Sequence, residues 1–251
     1  MKKNPYTKMF GKEPELTVPR VVQSDEIIQT FMEDQPSSQI YMITGVRGSG
    51  KTVLMTEIAR HFRAEKSFVV VELNPAKDLL QGLAAKLYNE QGLHAALKRA
   101  KIDLSFFGIG VEIGGADPIT DIEVALERLL EQMKKQGQKL LITIDEAVSS
   151  ENMRIFASAF QIFVRRNYPI MLLMTGLYEN IDTLQNDKIL TFLYRAPKIY
   201  LKPLNPGRIA AHYKKTCSVS EEDAREMARL TRGYPFAFQV LGFYTFEMKG
   251  D

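Results

Sequence analysis

The stretch Gly45-Val46-Arg47-Gly48-Ser49-Gly50-Lys51-Thr52 meets every fixed position of the pattern G-x-x-x-x-G-K-[ST]. This pattern constrains the fold because it functions only as a turn from a buried strand into the N-terminus of a helix. There, unpaired N–H groups and the helix dipole meet negative charge. Both flanks are present. Gln39 to Ile43 is a short apolar run with β-branched and aromatic residues, and Thr52 to Phe62 places Val53, Leu54, Ile58 and Phe62 on one helical stripe. The glycines let the backbone wrap around phosphate oxygens, Lys51 reaches the outer phosphates, and Thr52 offers a hydroxyl to Mg²⁺. The nucleotide-binding candidates are therefore Gly45, Val46, Arg47, Gly48, Ser49, Gly50, Lys51, Thr52 and Val53.

Around this turn the chain alternates strands and helices. Residues 1–22, with Pro5, Pro14 and Pro19, carry neither period and read as an extended arm. Ser24 reads as the cap of a helix from Asp25 to Met32. Buried strands are expected at Phe68 to Leu73, Lys139 to Ile144, Ile170 to Thr175 and Lys198 to Leu201. Helices are expected at Asp78 to Tyr88, Asp121 to Gln136 and Asn152 to Arg166, with a weaker one from Leu93 to Ala100. Alternating apolar and small residues from Ile102 to Gly115 predict a glycine-kinked hairpin. After Pro203 and Pro206 only helical patterns remain, at Arg208 to Thr216, Ser220 to Thr231 and Pro235 to Met248. The expected fold is α/β, with a five-stranded, mostly parallel sheet between helical layers at 23–203 and a small helical lid at 204–251.

Composition narrows the partners. A net charge of +3 over 251 residues gives no general attraction to nucleic acid. Cys217 is the single cysteine, so no internal disulfide forms, and no signal-peptide core follows Met1 to Pro5; a reducing cytoplasm is the default. The run Pro169 to Met174 is far too short to span a membrane. His61, His94 and His212 are scattered without partner cysteines, which argues against zinc.

The strand Lys139 to Ile144 stops in two adjacent carboxylates, Asp145 and Glu146. Acid pairs at the end of a buried strand need a cation to offset them. Asp145 fits a Mg²⁺ ligand, and Glu146 fits the group that orients and deprotonates water attacking a γ-phosphate. An acid directly after the metal ligand favours hydrolysis over transfer to a small acceptor, and no N-K-x-D for reading guanine is found. Thr175 ends the strand expected beside the Gly45 strand, where it either positions that water and senses the γ-phosphate or is an ordinary strand-end threonine. Arg195 is a candidate arginine finger reaching a neighbouring subunit's nucleotide. Arg165-Arg166 is a rival, and a surface salt bridge is the plain alternative.

In this order the motifs resemble the AAA+ ATPases of the origin-recognition-like, archaeal-type branch, which border the signalling STAND P-loop NTPases. The resemblance runs from about residue 4 to 247. It rests on Gly45 to Thr52, Ile144 to Ala147, Met174 to Leu177, Leu190 to Ala196 and Thr231 to Phe236. It implies ATP or ADP with Mg²⁺ in the site, Gly233 and Pro235 of the lid near the nucleotide, and an arm (Asn4 to Thr7, Phe10-Gly11, Pro19-Arg20) close to the adenine, with Arg20 among the binding residues. Two departures stand out. Pro19 replaces the usual glycine before Arg20. The usual sensor arginine opening the last lid helix is not evident, since Phe236 and Ala237 follow Pro235; either Arg232 substitutes or ATP sensing rests on the Gly233-x-Pro235 segment alone, which argues against strong hydrolysis. Relatives commonly carry an effector domain after the lid, whereas this sequence ends at Asp251, as a truncated chain or a stand-alone module.

Three readings compete. The first is an ATP-hydrolysing, nucleotide-dependent switch that alters self-association, through the Arg195 face, or binding of a protein partner. The second is a DNA-associated module using Lys98-Arg99-Lys101 or Lys214-Lys215. The third is a STAND-like scaffold that binds ADP tightly and turns over slowly.

Overall fold

The computed structural model describes residues 3–9, 14–90, 93, 100–110, 118–188 and 190–249. Five strands form one parallel sheet in the order β2-β3-β4-β1-β5, comprising β1 (Ile40–Thr44), β2 (Phe68–Leu73), β3 (Lys139–Ile144), β4 (Ile170–Gly176) and β5 (Lys198–Tyr200). Every strand pairing among the described residues is parallel. Each strand is therefore reached by a crossover, which carries a helix onto a face of the sheet.

Alternation along the strands builds a core on each face. Met42, Leu140, Ile142, Leu172 and Met174 pack toward α3 (Leu79–Tyr88), α4 (Ile122–Lys135), α5 (Glu151–Arg165) and α6 (Tyr178–Gln185). Tyr41, Ile43, Leu141, Met171 and Leu173 pack toward α1 (Val21–Met32) and α2 (Lys51–Ala64). The result is a three-layer sandwich. A further cluster joins α7 (Pro206–Cys217), α8 (Glu221–Thr231) and α9 (Pro235–Lys249) to Tyr6 and Val18 of the N-terminal segment. That segment is bound to α9 at both ends: Thr7 N–H donates to Gln239 Oε1 at 3.1 Å, and Gln239 Nε2 donates to Leu16 O at 2.7 Å.

Two local expectations are corrected. Helix α1 starts at Val21, with Arg20 rather than Ser24 in the cap position; Ser24 N–H already donates to Arg20 O at 3.0 Å, and Ser24 is buried. The extra turn exposes Val21 and Val22, so it lacks the apolar stripe that marks a helix in sequence. The second correction concerns Ile102 to Gly115. Over 102–110 the chain makes a short 3₁₀ turn, Ser105–Phe107, closed by Gly108 at φ 69°, with no strand. Ser105 N–H donates to the Asp103 side chain at 2.8 Å, and such a local bond competes with a strand ladder. Residues 111–117 lie outside the described residues, as do Phe10, Gly11 and most of the weak helix Leu93 to Ala100, including Lys98 and Arg99.

Candidate functional site

The β order places β1 between β4 and β5, so the turn after β1 emerges beside the end of β4 and one strand removed from the end of β3. Gly48 and Gly50 adopt φ 74° and 89°, the left-handed region open to glycine, and α2 begins directly at Lys51. The buried Lys51 ammonium donates to Gly45 O at 3.0 Å and Val46 O at 2.9 Å. Burial pushes its pKa below the ordinary lysine value, and the charges of Asp145 and Glu146 pull back against that.

The acid pair and the turn meet. Thr52 Oγ1 donates to Asp145 Oδ2 at 2.8 Å, across 93 residues of sequence. The Thr175 hydroxyl donates to the other carboxylate oxygen, and Glu146 N–H donates to both Asp145 Oδ1 and Thr175 Oγ1 at 3.1 Å. Glu146 sits at φ 54° with its side chain exposed, an uncommon backbone for glutamate. Ala147 N–H, donating to Thr175 O at 2.8 Å, locks the turn against β4. Thr175 is fully buried and does not line the open space; its hydroxyl bonds the Asp145 carboxylate and the Glu146 backbone N–H.

That space is a cleft of about 720 Å³. Its floor is Arg47 to Val53 with Asp145 and Glu146; Leu177 and Asn180 close one side, and Thr7, Met9, Thr17, Val18 and Arg20 of the arm close another. The lid contributes Pro235, Phe236, Phe238 and Gln239. Arg20 Nη2 donates to Ser49 O at 3.1 Å, and burial lowers the guanidinium's pKa. Gly45 and Val46 contribute through their carbonyls on Lys51.

The structure does not gather every candidate. Gly233 does not line the cleft; its carbonyl accepts from Leu204 N–H at 2.7 Å, tying the turn before α9 to the segment that precedes α7. Arg195 is exposed on the 3₁₀ turn Thr191–Arg195 and lies off the cleft of its own chain. Arg232 is exposed and lies off the cleft, lining a separate groove between α7 and α8 with Lys214, Lys215 and Arg229. Two participants escaped the sequence reading. Asn180 reaches the cleft from α6, and the Tyr234 hydroxyl donates to Arg47 O. The backbone carbonyl that receives Tyr234 leaves no trace in side-chain pattern, and only the neighbouring Gly233 and Pro235 drew attention to the segment.

The donor set fits a phosphate chain with a hard cation. Ser49 Oγ is buried with no partner among the described residues and lies against Gly45, where a Cβ would come 2.7 Å from it. The hydroxyl and carboxylate of Thr52 and Asp145 are the oxygen ligands Mg²⁺ prefers. No cluster of three or more His, Cys, Asp or Glu able to cage a metal occurs among the described residues. Mg²⁺ does not need one, because substrate phosphates and water complete its shell. No helix among the described residues is long and apolar enough to cross a membrane.

Comparison with known proteins agrees with this geometry. No curated protein sequence matches the chain. Among solved structures, Cdc6p from Pyrobaculum aerophilum is 16% identical with a TM-score of 0.62, covering 97% of this chain and 66% of that one. The Aeropyrum pernix ORC2 protein, in ADPNP–ADP complexes, is 12% identical with a TM-score of 0.56, covering 94% of this chain; the chain spans 63% of its length. AMPPCP-bound DnaA from Aquifex aeolicus is 12% identical with a TM-score of 0.54, covering 94% and 67%. At such identities the likeness is one of fold. The model of an ATPase domain predominantly from Archaea matches residues 26–173, more than half of the chain, from α1 through β4. The chain therefore belongs to this archaeal-type ATPase-domain family, and its fold is that of the origin-recognition-like AAA+ proteins.

Proposed function

We propose that the protein binds ATP in this cleft and hydrolyses it to ADP and phosphate, acting as a nucleotide-dependent switch. The observation that carries the reading is the Thr52 to Asp145 contact at 2.8 Å, which joins the phosphate loop to the acid pair at one point of the cleft. The loop N–H groups and the α2 dipole cradle the phosphates. Lys51 exchanges its carbonyl partners for β- and γ-phosphate oxygens. Thr52 and Asp145 are the residues that would hold Mg²⁺, which when bound neutralises charge building on the β- and γ-phosphate oxygens. Glu146 takes a proton from the attacking water as the bond to the β-phosphate oxygen breaks. Thr175, bonded to the Asp145 carboxylate and to the Glu146 backbone N–H, aims the Asp145 carboxylate and holds the backbone from which Glu146 projects. Arm and lid, with Arg20 and Pro235, form the walls around the base and sugar.

Phosphate release measured for wild type, Lys51→Ala and Glu146→Gln tests the reading. Both variants should lose turnover, and equal rates in all three would overturn the catalytic part. Because Arg195 lies off its own cleft, a finger role requires a second copy; turnover per chain that rises with protein concentration and disappears in Arg195→Ala supports it.

A slower scaffold that holds ADP is the second reading. It is favoured by one observation: none of the described lid residues lining the cleft is cationic. ADP surviving purification supports it, and loss of all ADP on dilution argues against it. One similar solved structure, the Aeropyrum pernix ORC1 protein, is in complex with DNA. Here Lys214 is ion-paired to Glu221 at 2.6 Å, so DNA association of this chain rests on a weaker base. A duplex titration at low salt checks it.

A further inference from the structure

Resting on the nucleotide-binding reading above, we propose that Tyr234 is a positioning residue for the phosphate loop. From the lid, its hydroxyl fixes the Arg47–Gly48 peptide so that the Gly48 N–H is presented to phosphate. The hydroxyl donates to Arg47 O. A trans peptide is planar, with its C=O and N–H directed to opposite sides. Holding the Arg47 carbonyl therefore fixes the plane of this peptide and with it the direction of the Gly48 N–H, at a glycine that itself lines the cleft. The loop needs such a clamp because glycines at φ 74° and 89° leave its peptides cheap to rotate.

A second observation points the same way. A Cβ at Gly48 would lie 2.2 Å from Tyr234 Oη and 2.8 Å from Cζ, so the tyrosine covers this glycine closely and a larger residue there would displace the ring. The backbone of Tyr234 is itself fixed. Its N–H donates to Thr231 O at 2.8 Å, and its carbonyl accepts from Phe238 N–H at 3.0 Å, opening α9. Pro235 follows, with its ring-locked φ at the first helical position. With only two side-chain torsions between that backbone and the hydroxyl, the position of the lid determines whether Arg47 O is held. Arg20 makes the matching contact from the arm, on Ser49 O. The lid, lacking a cation at the cleft, is thus coupled to phosphate binding through a neutral hydrogen bond.

The test uses the full chain and Tyr234→Phe, which keeps the ring and removes only the donor. MgADP affinity is measured by titration, and hydrogen exchange is followed in the peptide covering 45–52. Loss of one such bond is expected to weaken MgADP binding about fivefold. Amides of the loop should exchange faster in the free protein, while those of β1, β4 and α7 to α9 keep their protection. Tyr234→Ala should weaken binding at least as much. Unchanged MgADP affinity in Tyr234→Phe overturns the proposal, as does a loss accompanied by faster exchange throughout the lid, the signature of a merely structural residue. Wild-type protein that fails to bind MgADP refutes the nucleotide reading itself, and this inference with it.

Discussion

Replacing Gly233 by alanine should destabilise the protein far more than the same change at another left-handed glycine. Gly233 has φ 71°, and a Cβ there would come 2.6 Å from Leu204 O, 2.7 Å from Pro203 Cβ and 3.0 Å from Leu204 N. Two of these three atoms are backbone, tied to Gly233 by the 2.7 Å bond from Leu204 N–H, so the wall cannot swing aside as a long side chain would. The left-handed conformation costs a non-glycine residue about 1 kcal/mol. Forcing a methyl group into a packed wall adds about 1–3 kcal/mol. The sum is about 2–4 kcal/mol. Gly137 supplies the control, because its φ is 68° and nothing lies within 4 Å of its Cβ position. Gly137→Ala should therefore cost only the first part, about 1 kcal/mol. At roughly 2–4 °C per kcal/mol for a chain of this size, thermal unfolding should show a drop of about 2–4 °C for Gly137→Ala and about 5–15 °C for Gly233→Ala. Equal shifts would refute the reasoning and free Gly233 for the role in nucleotide contact that its motif implies.

Further outcomes can be measured on the same material. Thr175→Val should leave MgADP affinity within about twofold while lowering turnover at least about tenfold, because it frees Asp145 and Glu146 without touching the cradle; a parallel loss of both would contradict this. Arg20→Met keeps the apolar stem but removes the donor to Ser49 O, and should weaken MgADP binding by about fivefold in a titration. His212 packs edge-on against Phe238, and burial, with Lys215 nearby, holds its pKa below the ordinary 6.5. As pH falls below 6.5 the unfolded chain takes up the proton first, so stability present above that value is lost on acidification. His212→Gln should flatten the fall in melting temperature between pH 7 and 5, and an unchanged slope would exclude the histidine.

Much of the site was legible in the linear chain because it is local. The turn Gly45 to Thr52 carries its geometry in its glycines, and the acid pair announces itself by ending an apolar run. The strand that Thr175 ends was expected beside the Gly45 strand, and β1 pairs with β4 there, with Ile43 opposite Thr175. What escaped was set by contacts without periodicity. The first turn of α1 is solvent-facing, and the segment Ile102 to Ile109 alternates like a strand although the Asp103 side chain captures Ser105 N–H and bends it. Arg232 lies next to Gly233 in sequence but not at the cleft. Its left-handed backbone, φ 49°, instead ends α8 with the side chain on the groove it shares with α7.

The order of residues alone was enough to specify a parallel α/β sandwich with a phosphate loop and a carboxylate pair, since strand burial, helix periodicity and glycine-dependent turns are properties of short stretches. The tertiary structure decided which distant groups share a point in space. It brought Thr52 to Asp145 across 93 residues, drew the arm along α9, and set Tyr234 on the carbonyl of Arg47, 187 positions away. Those contacts depend on strand order and on how the lid packs, and a backbone carbonyl, identical at every position, offers the sequence nothing by which to foretell its partner.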